Sequence, residues 1–396
     1  MSAKKRSATK RRNAQQAANA RKSVHMQRPV VPGDCREVPA PTVGSTAVSA
    51  PIRRPATTRP DLWTRLTVWF VGAKHATVGF SLFRILFGVS MLIVLLPSFA
   101  DRHYLWGAGS WWVEPEARRR GWWEPLRLLF PKDSAFWFDV AYAVLLGLAV
   151  IFILGWMTRW VTPVLLVLWV GLSTNTTLLT NGGDTLMRIA LLFAVFASLS
   201  EHFSVDAWLR RRRAERGRAA VSRPAWWPAW IGTWTHNTAL VLCCYQILLV
   251  YLVSSILKLS GTEWLDGTAL YYALALDEFR VLPGLSDILS ESALLVMIGT
   301  WMALTVQLLF PVALLWRPSR YVAVVLITFT HLGIAVLLGL WPFSLAMIAL
   351  DLLLIRDSSW QRLGQAIRRR VKAAAPAPPA IVSEPALTAA VPSPQG

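Results

Sequence analysis

The hydrophobic positions of this chain form long runs, and the short segments between the runs hold most of the charge. Eight runs approach the length of about 20 apolar residues that a helix needs to cross a bilayer. The fourth and eighth are the shortest, and the set covers residues 80–99, 135–156, 160–179, 186–200, 238–257, 292–315, 320–339 and 343–355. The pattern predicts an all-α fold, a polytopic integral membrane bundle of about eight transmembrane helices over residues 79–357.

Three further segments flank the predicted bundle. Residues 61–78 carry apolar side chains at helical spacing, which predicts an amphipathic helix lying in the membrane interface. Residues 1–60 are basic and rich in Ala, Thr and Pro without periodicity, which predicts a disordered tail. Residues 358–396 are first basic and then rich in Ala and Pro, so they predict a second tail.

The basic residues are distributed as a membrane topology requires. The chain has 41 Lys and Arg against 22 Asp and Glu, a formal net charge of +19, yet only 16% of its residues are charged. That charged fraction argues against an ordinary soluble enzyme. With eight spans, the basic termini and the basic loops after spans four and six share one side, which predicts that both termini are cytoplasmic. We therefore expect a lipid bilayer and no nucleic acid as partner, although Arg118, Arg119 and Arg120 fall in the first outer loop.

An ionisable side chain in or beside a span is a functional candidate, because charge is costly in hydrocarbon. Tyr251, Ser254, Ser255 and Lys258 are spaced i, i+3, i+4 and i+7, so they share one face of the fifth helix. A polar face that ends in a lysine is typical of a cavity that opens outward, where a neutral amine can act as a base. The alternative is a lysine that extends from the helix end to the interface.

Asp184 and Arg188 flank the start of the fourth span at i, i+4 spacing, where they can pair on one helix face. Asp184 also lies near a helix N-terminus, where negative charge is favoured. The alternative to a functional role is plain helix capping by Asn181 or Asp184 with a paired arginine.

Three more ionisable residues lie inside the predicted spans. His331 falls in the middle of the seventh span, about 13 Å below its outer end, and is either a second catalytic residue or a hydrogen-bonded packing residue. Arg84 and Asp351 lie at similar depth in the inner halves of spans one and eight, which predicts a structural ion pair. No histidine or carboxylate stands at metal-binding spacing, and the three cysteines form no zinc motif, so we expect no metal site.

The depths of these residues predict a polar pocket that faces outward above a closed bundle, rather than a continuous pore. His331 lies below the outer boundary, and the Arg84–Asp351 pair lies on the inner side. The predicted network at the outer boundary, which either binds substrate or is structural, adds to the lysine face the residues Asp184, Arg188, Glu263, Trp264 and Asp266.

Several stretches, in matching order, resemble the horizontally transferred transmembrane domain (HTTM) family, whose best-known relative is the vitamin K-dependent gamma-carboxylase. They cover roughly residues 79–355. The stretch at the fifth span is the most specific, with a Tyr, small residues, a Lys, a short polar gap, a Trp, a Gly and then aromatics. The four stretches read FSLFRILFGVSML, NGGDTLMRIALLF leading to HFSVDAW, YLVSSILKLSGTEWLDGTALYYAL, and THLGIAVLLGLWPFSLAMIALDLLL.

The resemblance implies a chemistry for the lysine face. In the carboxylase family, a lysine in this setting is the proposed base that deprotonates a hydroquinone. Oxygenation of the hydroquinone then yields a strong base that removes a proton from a glutamate side chain, and CO2 adds. By resemblance, Lys258 is the base, His331 lies in the family's His-containing helix, and the cofactor is a membrane quinol. The residues alone identify no cofactor.

Two departures from the carboxylase limit what the resemblance implies. Its Asn-His pair near the start of the fourth helix is replaced here by Asn181-Gly182-Gly183-Asp184. Its large lumenal domain, which holds the propeptide of the substrate, is replaced by the short C-terminal segment. We therefore do not expect high-affinity capture of a propeptide.

Three hypotheses for the function follow. The first is a quinol-dependent modification enzyme of the bacterial inner membrane, with gamma-carboxylase-like activity by resemblance, acting on a secreted peptide or lipid-like substrate at the outer boundary. The second is a non-enzymatic membrane factor for maturation, export or immunity of a small secreted peptide, since other family members belong to bacterial peptide-toxin systems. The third is a transporter or channel, against which the lack of duplicated halves argues.

Overall fold

A computed structural model describes residues 61–110, 123–176, 179–180, 182–217 and 228–374 of the protein. All of these residues fall within Pro60–Gly396, which forms one unit. The described residues are helical and include no β-strand, so the predicted all-α fold is confirmed. The predicted tails at 1–60 and from 375 onward, together with Asn181 and Arg118 to Arg120, lie outside the described residues.

The α-helices in the described ranges are numbered here in chain order. They are α1 (Leu62–Gly72), α2 (Thr77–Leu95), α3 (Arg102–Leu105), α4 (Ala135–Leu154), α5 (Thr158–Asn175), α6 (Gly182–Ala194), α7 (Val205–Glu215), α8 (Ala229–Leu259), α9 (Thr262–Leu265), α10 (Ala269–Ala275), α11 (Pro283–Glu291), α12 (Ala293–Ala313), α13 (Arg317–Leu338), α14 (Trp341–Asp351) and α15 (Asp357–Ala374). Short 3-10 turns lie at Pro97–Phe99, Glu124–Leu129, Asp277–Phe279 and Leu352–Leu354.

Five of the described helices, α2, α4, α8, α12 and α13, are long and apolar enough to cross a membrane, and each lies at a predicted span. The other three predicted spans correspond to α5, α6 and α14. Helix α5 contains Pro163 and several polar residues, while α6 and α14 have only 13 and 11 residues. The chain is thus a multi-pass helical membrane protein with five candidate spans in its described part.

Helix α2 supplies much of the buried core. Its large side chains recur at spacings of three and four residues, which gives one continuous apolar stripe. This stripe packs against α4 and α14. The fully buried members of the stripe are Phe80, Phe83, Phe87, Met91 and Leu95.

The predicted ion pair between Arg84 and Asp351 is wrong. The buried Arg84 guanidinium instead donates to four backbone carbonyls, at the C-terminus of α4 and in the link between α6 and α7: those of Phe152, Ile153, Leu199 and Phe203. Carbonyls at a helix C-terminus lack intrahelical donors, so a guanidinium with five N–H groups can satisfy several of them. Asp351 lies elsewhere in the core and accepts a hydrogen bond from Tyr251.

Gly155 makes room for this arginine. It follows the last residue of α4 with a φ of 71°, in the left-handed conformation that favours glycine. A Cβ at this position would lie 2.7 Å from the guanidinium carbon of Arg84. The turn after α4 and the position of Arg84 therefore depend on each other.

The helix predicted at 61–78 is interrupted: α1 ends at Gly72 and α2 begins at Thr77. The buried side chain of Asn237 in α8 fixes the break. Its Oδ1 accepts from the backbone N–H of His75 at 3.1 Å. Its Nδ2 donates to three carbonyls at 3.2, 2.9 and 2.8 Å, those of Trp69, Phe70 and Ala73. Helix α1 buries no residue, and its position in a membrane interface stays a prediction.

Charged side chains hold together the end of the bundle at which α2 begins, which we call the basic end. Lys74 forms a 2.8 Å ion pair with Glu201, and Arg210 approaches the same carboxylate at 3.5 Å. Burial alone acts to raise the pKa of Glu201, but the hydrogen bond from Lys74 and the two positive charges outweigh burial. The pKa of Glu201 is therefore lowered from its ordinary value of 4.5.

Candidate functional site

The polar face predicted on α8 is present. Tyr251 and Ser255 are fully buried, and the Ser255 hydroxyl donates to the Tyr251 carbonyl at 2.7 Å. Ser254 and Lys258 are half-buried beside them. From Tyr251 to Lys258 the helix rises about 10 Å, so this face runs from the core to the end of the span.

Lys258 is held by an amide and an aromatic ring. Its Nζ donates to Oε1 of the buried Gln307 on α12 at 2.6 Å. The same nitrogen lies 4.7 Å from the ring centroid of Trp264 on the short helix α9. Within the described ranges, no carboxylate lies at ion-pair distance from Lys258. The amine is therefore partly desolvated without a counter-charge, an arrangement known for lysines that act as bases.

The loop carboxylates predicted near Lys258 do not bind it. Glu263 is exposed, and its carboxylate accepts from the Thr262 hydroxyl at 3.1 Å. Asp266 is also exposed. Of the predicted loop residues, the structure brings only Trp264 into contact with the lysine.

Below Lys258, three buried side chains from three helices meet. The Tyr251 hydroxyl lies 2.8 Å from Oδ2 of Asp351 on α14 and 3.0 Å from Nε2 of His331 on α13. A carboxylate can only accept, so an ionised Asp351 takes the hydroxyl proton, and the hydroxyl oxygen then accepts from the imidazole N–H. The rings of Phe310 and Phe343 pack against Tyr251 and His331 respectively.

This buried cluster has unused hydrogen-bonding capacity. Nδ1 of His331 and Oδ1 of Asp351 are buried and have no hydrogen-bond partner among the described residues. Such atoms are rare in folded proteins, and they mark sites where a water molecule, a ligand or a proton is bound. Lys258 interacts electrostatically with His331, so the lysine and the buried cluster belong to one site.

Asp184 and Arg188 lie on α6, apart from the Lys258 contacts. Arg188 donates to the Thr185 hydroxyl at 3.0 Å, so the predicted i, i+4 pair with Asp184 is not formed. Asp184, in the first turn of α6, borders a cavity of about 180 Å³ that Phe343 also lines. Since Phe343 packs against His331 with ring centroids 5.8 Å apart, this aromatic ring separates the cavity from the buried cluster.

Gln307 is the functional residue that we did not predict from the sequence. It is a single amide in an otherwise apolar helix, and an uncharged polar residue in a span is a weaker signal than a lysine. The meeting of Tyr251, His331 and Asp351 was also not predicted, because they come from three separate helices. Within the described ranges, no three His, Cys, Asp or Glu side chains converge as metal ligands.

Comparison with known proteins identifies the class to which this fold and site belong. The family described as HTTM domain matches residues 74–360, most of the chain, so this protein belongs to the HTTM family and the resemblance noted above is confirmed. A similar protein is the "Uncharacterized protein YitO" of Bacillus subtilis (strain 168), 35% identical over 113 residues. The match covers 27% of this chain and only 36% of that relative. No solved structure matches the chain significantly.

Proposed function

We propose that this protein is a membrane enzyme in which Lys258 acts as a base toward a membrane quinol, in the modification of a secreted peptide or lipid-like substrate. The observation that carries the proposal is the environment of the Lys258 amine. Gln307 and Trp264 position this amine at the end of a span, and no described carboxylate neutralises it. In keeping with the family resemblance, the proposed membrane is the bacterial inner membrane, crossed eight times with both termini cytoplasmic.

The residues around Lys258 fit a quinol head group. The indole face of Trp264 offers a surface for a flat ring, and the amide nitrogen of Gln307 has no partner among the described residues, so it can donate to an oxygen. Ile256 and Leu257 are exposed on the same helix, where an apolar tail would remain in lipid. When bound, a quinol supplies an acidic hydroxyl and reducing electrons.

Lys258 and the buried cluster divide the work with protons. The hydrogen bond from Nζ to Gln307 uses one N–H and leaves the lone pair of a neutral amine free to take a hydroxyl proton. In the tautomer described above, Nδ1 of His331 also carries a free lone pair, so His331 is the second proton acceptor. Asp351, through Tyr251, holds the imidazole in that tautomer, as a carboxylate does in other catalytic histidine networks.

The other members of the predicted network have supporting roles in this proposal. Asp184 and Arg188 lie near the 180 Å³ cavity on the far side of Phe343, where a polar substrate group can approach the cluster. Glu263 and Asp266 are exposed in the loop beside Lys258, where they can bind the polar part of a substrate.

The test is turnover of a quinol by the full-length protein in lipid nanodiscs. We expect oxygen-dependent consumption of a reduced short-chain naphthoquinone by the wild type, and loss of at least 100-fold in Lys258→Met, since general-base catalysis contributes about 10²–10⁴-fold. Lys132→Met is the matched control. Lys132 donates to the Ser110 hydroxyl, away from the site, and its loss should leave turnover unchanged.

A protein that consumes no quinol, or a Lys258→Met variant as active as the wild type, contradicts the proposal. That outcome with correctly inserted protein favours the non-enzymatic role in the maturation, export or immunity of a secreted peptide. Insertion is checked by the elution volume of the purified variant in size-exclusion chromatography.

A further inference from the structure

The last described helix, α15, begins at the ends of two spanning helices. The Asp357 carboxylate accepts from the backbone N–H groups of Thr77 and Val78 at 2.9 and 3.0 Å, at the start of α2. Two residues later, the Ser359 hydroxyl lies 2.7 Å from the hydroxyl of Tyr321, in the first turns of α13. A helix fixed at the ends of two spans starts at the level of the membrane surface.

The following turns of α15 present an apolar stripe that no described residue covers. Leu363, Ile367 and Val371 recur at i, i+4 and i+8, and their exposed fractions are 51%, 53% and 66%. At about 100° per residue, the three side chains span a sector of about 80°. Arg370 lies about 20° beyond one edge of this sector and Arg368 about 60° beyond the other.

The charge of α15 is strongly positive and locally unneutralised. Its residues include Asp357 as the only acidic side chain, against five basic ones: Arg362, Arg368, Arg369, Arg370 and Lys372. None of the four arginines has an ion-pair or hydrogen-bond partner among the described residues. Helix α7 differs, because Arg210 binds Glu201 and Arg212 stacks on Trp208 at 4.1 Å.

We propose that α15 is a binding site for anionic phospholipid, lying along the membrane surface at the basic end of the bundle. Leu363, Ile367 and Val371 enter the boundary between head groups and acyl chains, while the arginines at the edges of the stripe contact lipid phosphates. An arginine guanidinium matches a phosphate with two parallel N–H donors, and a basic amphipathic helix binds anionic bilayers more strongly than neutral ones. This site lies at the end of the bundle opposite Lys258 and is independent of the proposed enzymatic function.

The test is amide hydrogen–deuterium exchange of the full-length protein in two kinds of nanodisc. One contains phosphatidylcholine alone, and the other contains phosphatidylcholine with 30% phosphatidylglycerol. We expect the amides of residues 363–371 to exchange at least tenfold more slowly in the anionic discs, and this difference to shrink at high salt because charge attraction is screened. Equal exchange in the two lipids, whether fast or slow, overturns the proposal without the need for any variant.

Two charge-matched variants locate the effect. The triple variant Arg368→Gln, Arg369→Gln and Arg370→Gln should lose the difference between the two lipids. The control variant Arg211→Gln, Arg213→Gln and Arg216→Gln removes the same charge from exposed positions in and just after α7 and should keep the difference. If the control also loses it, the effect belongs to the net charge of the protein and not to α15. Unchanged exchange in α12 shows that each variant is folded.

Discussion

The hydroxyl of Tyr251 is the most informative atom to remove from the buried cluster. The substitution Tyr251→Phe deletes one oxygen together with its hydrogen bonds to His331 at 3.0 Å and to Asp351 at 2.8 Å. The ring and its packing against Phe310 remain. The change in the free energy of unfolding therefore reports on the polar contacts alone.

The size of the effect can be estimated from these contacts. Hydrogen bonds between side chains of membrane helices contribute about 0.6 kcal/mol on average and at most about 1.7 kcal/mol each. Two such bonds give about 1–3 kcal/mol. The substitution also leaves both oxygens of the fully buried Asp351 without a described partner, and an orphaned buried polar group costs about 1–3 kcal/mol more. We expect a loss of about 2–5 kcal/mol.

The assay is equilibrium unfolding of the purified protein in mixed micelles, followed by circular dichroism. Tyr245→Phe is the matched control, because Tyr245 is on the same helix but is 61% exposed, and it should change stability by less than about 0.5 kcal/mol. A double-mutant cycle with Asp351→Asn measures the coupling directly. If Tyr251→Phe is as mild as Tyr245→Phe, the cluster is not a hydrogen-bonded unit and the argument for a fixed His331 tautomer fails.

Two further predictions concern the basic end of the bundle. Gly155→Ala should destabilise the protein by about 2–4 kcal/mol in the same unfolding assay, because it places a methyl group against Arg84 in a left-handed turn; Gly147→Ala, where a Cβ would meet nothing within 4 Å, should be neutral or stabilising. The lowered pKa of Glu201 means that its contribution to stability is complete above the ordinary value of 4.5 and is lost as the pH falls through the lowered value. Glu201→Gln should therefore flatten the dependence of unfolding free energy on pH between about 5 and 3, and an unchanged slope would show that the ion pair with Lys74 does not stabilise the fold.

The positions of the helices and the membership of the α8 face could be predicted from the sequence, because both follow from local periodicity. Apolar runs mark where a helix lies, and the i, i+4, i+7 spacing of Tyr251, Ser255 and Lys258 determines that they share a face. The break in 61–78 was missed, since it depends on Asn237, which is far away in the chain.

The partners of the buried charges could not be predicted, because depth along a span says nothing about the direction in which a side chain points. Arg84 and Asp351 were paired by depth alone, yet Arg84 turns to helix-terminal carbonyls and Asp351 turns to Tyr251. Gln307 was missed for the same reason, since its position opposite Lys258 depends on how α8 and α12 are rotated about their axes.

The most direct measurement of the central claim is the ultraviolet difference spectrum of a reduced naphthoquinone added to the protein in nanodiscs without oxygen. A base at Lys258 predicts the absorption band of the deprotonated hydroquinone at neutral pH in the wild type and its absence in Lys258→Met, with binding of the quinol retained. A band of equal size in both proteins, or none in a wild type that binds the quinol, would contradict the assignment of Lys258 as the base.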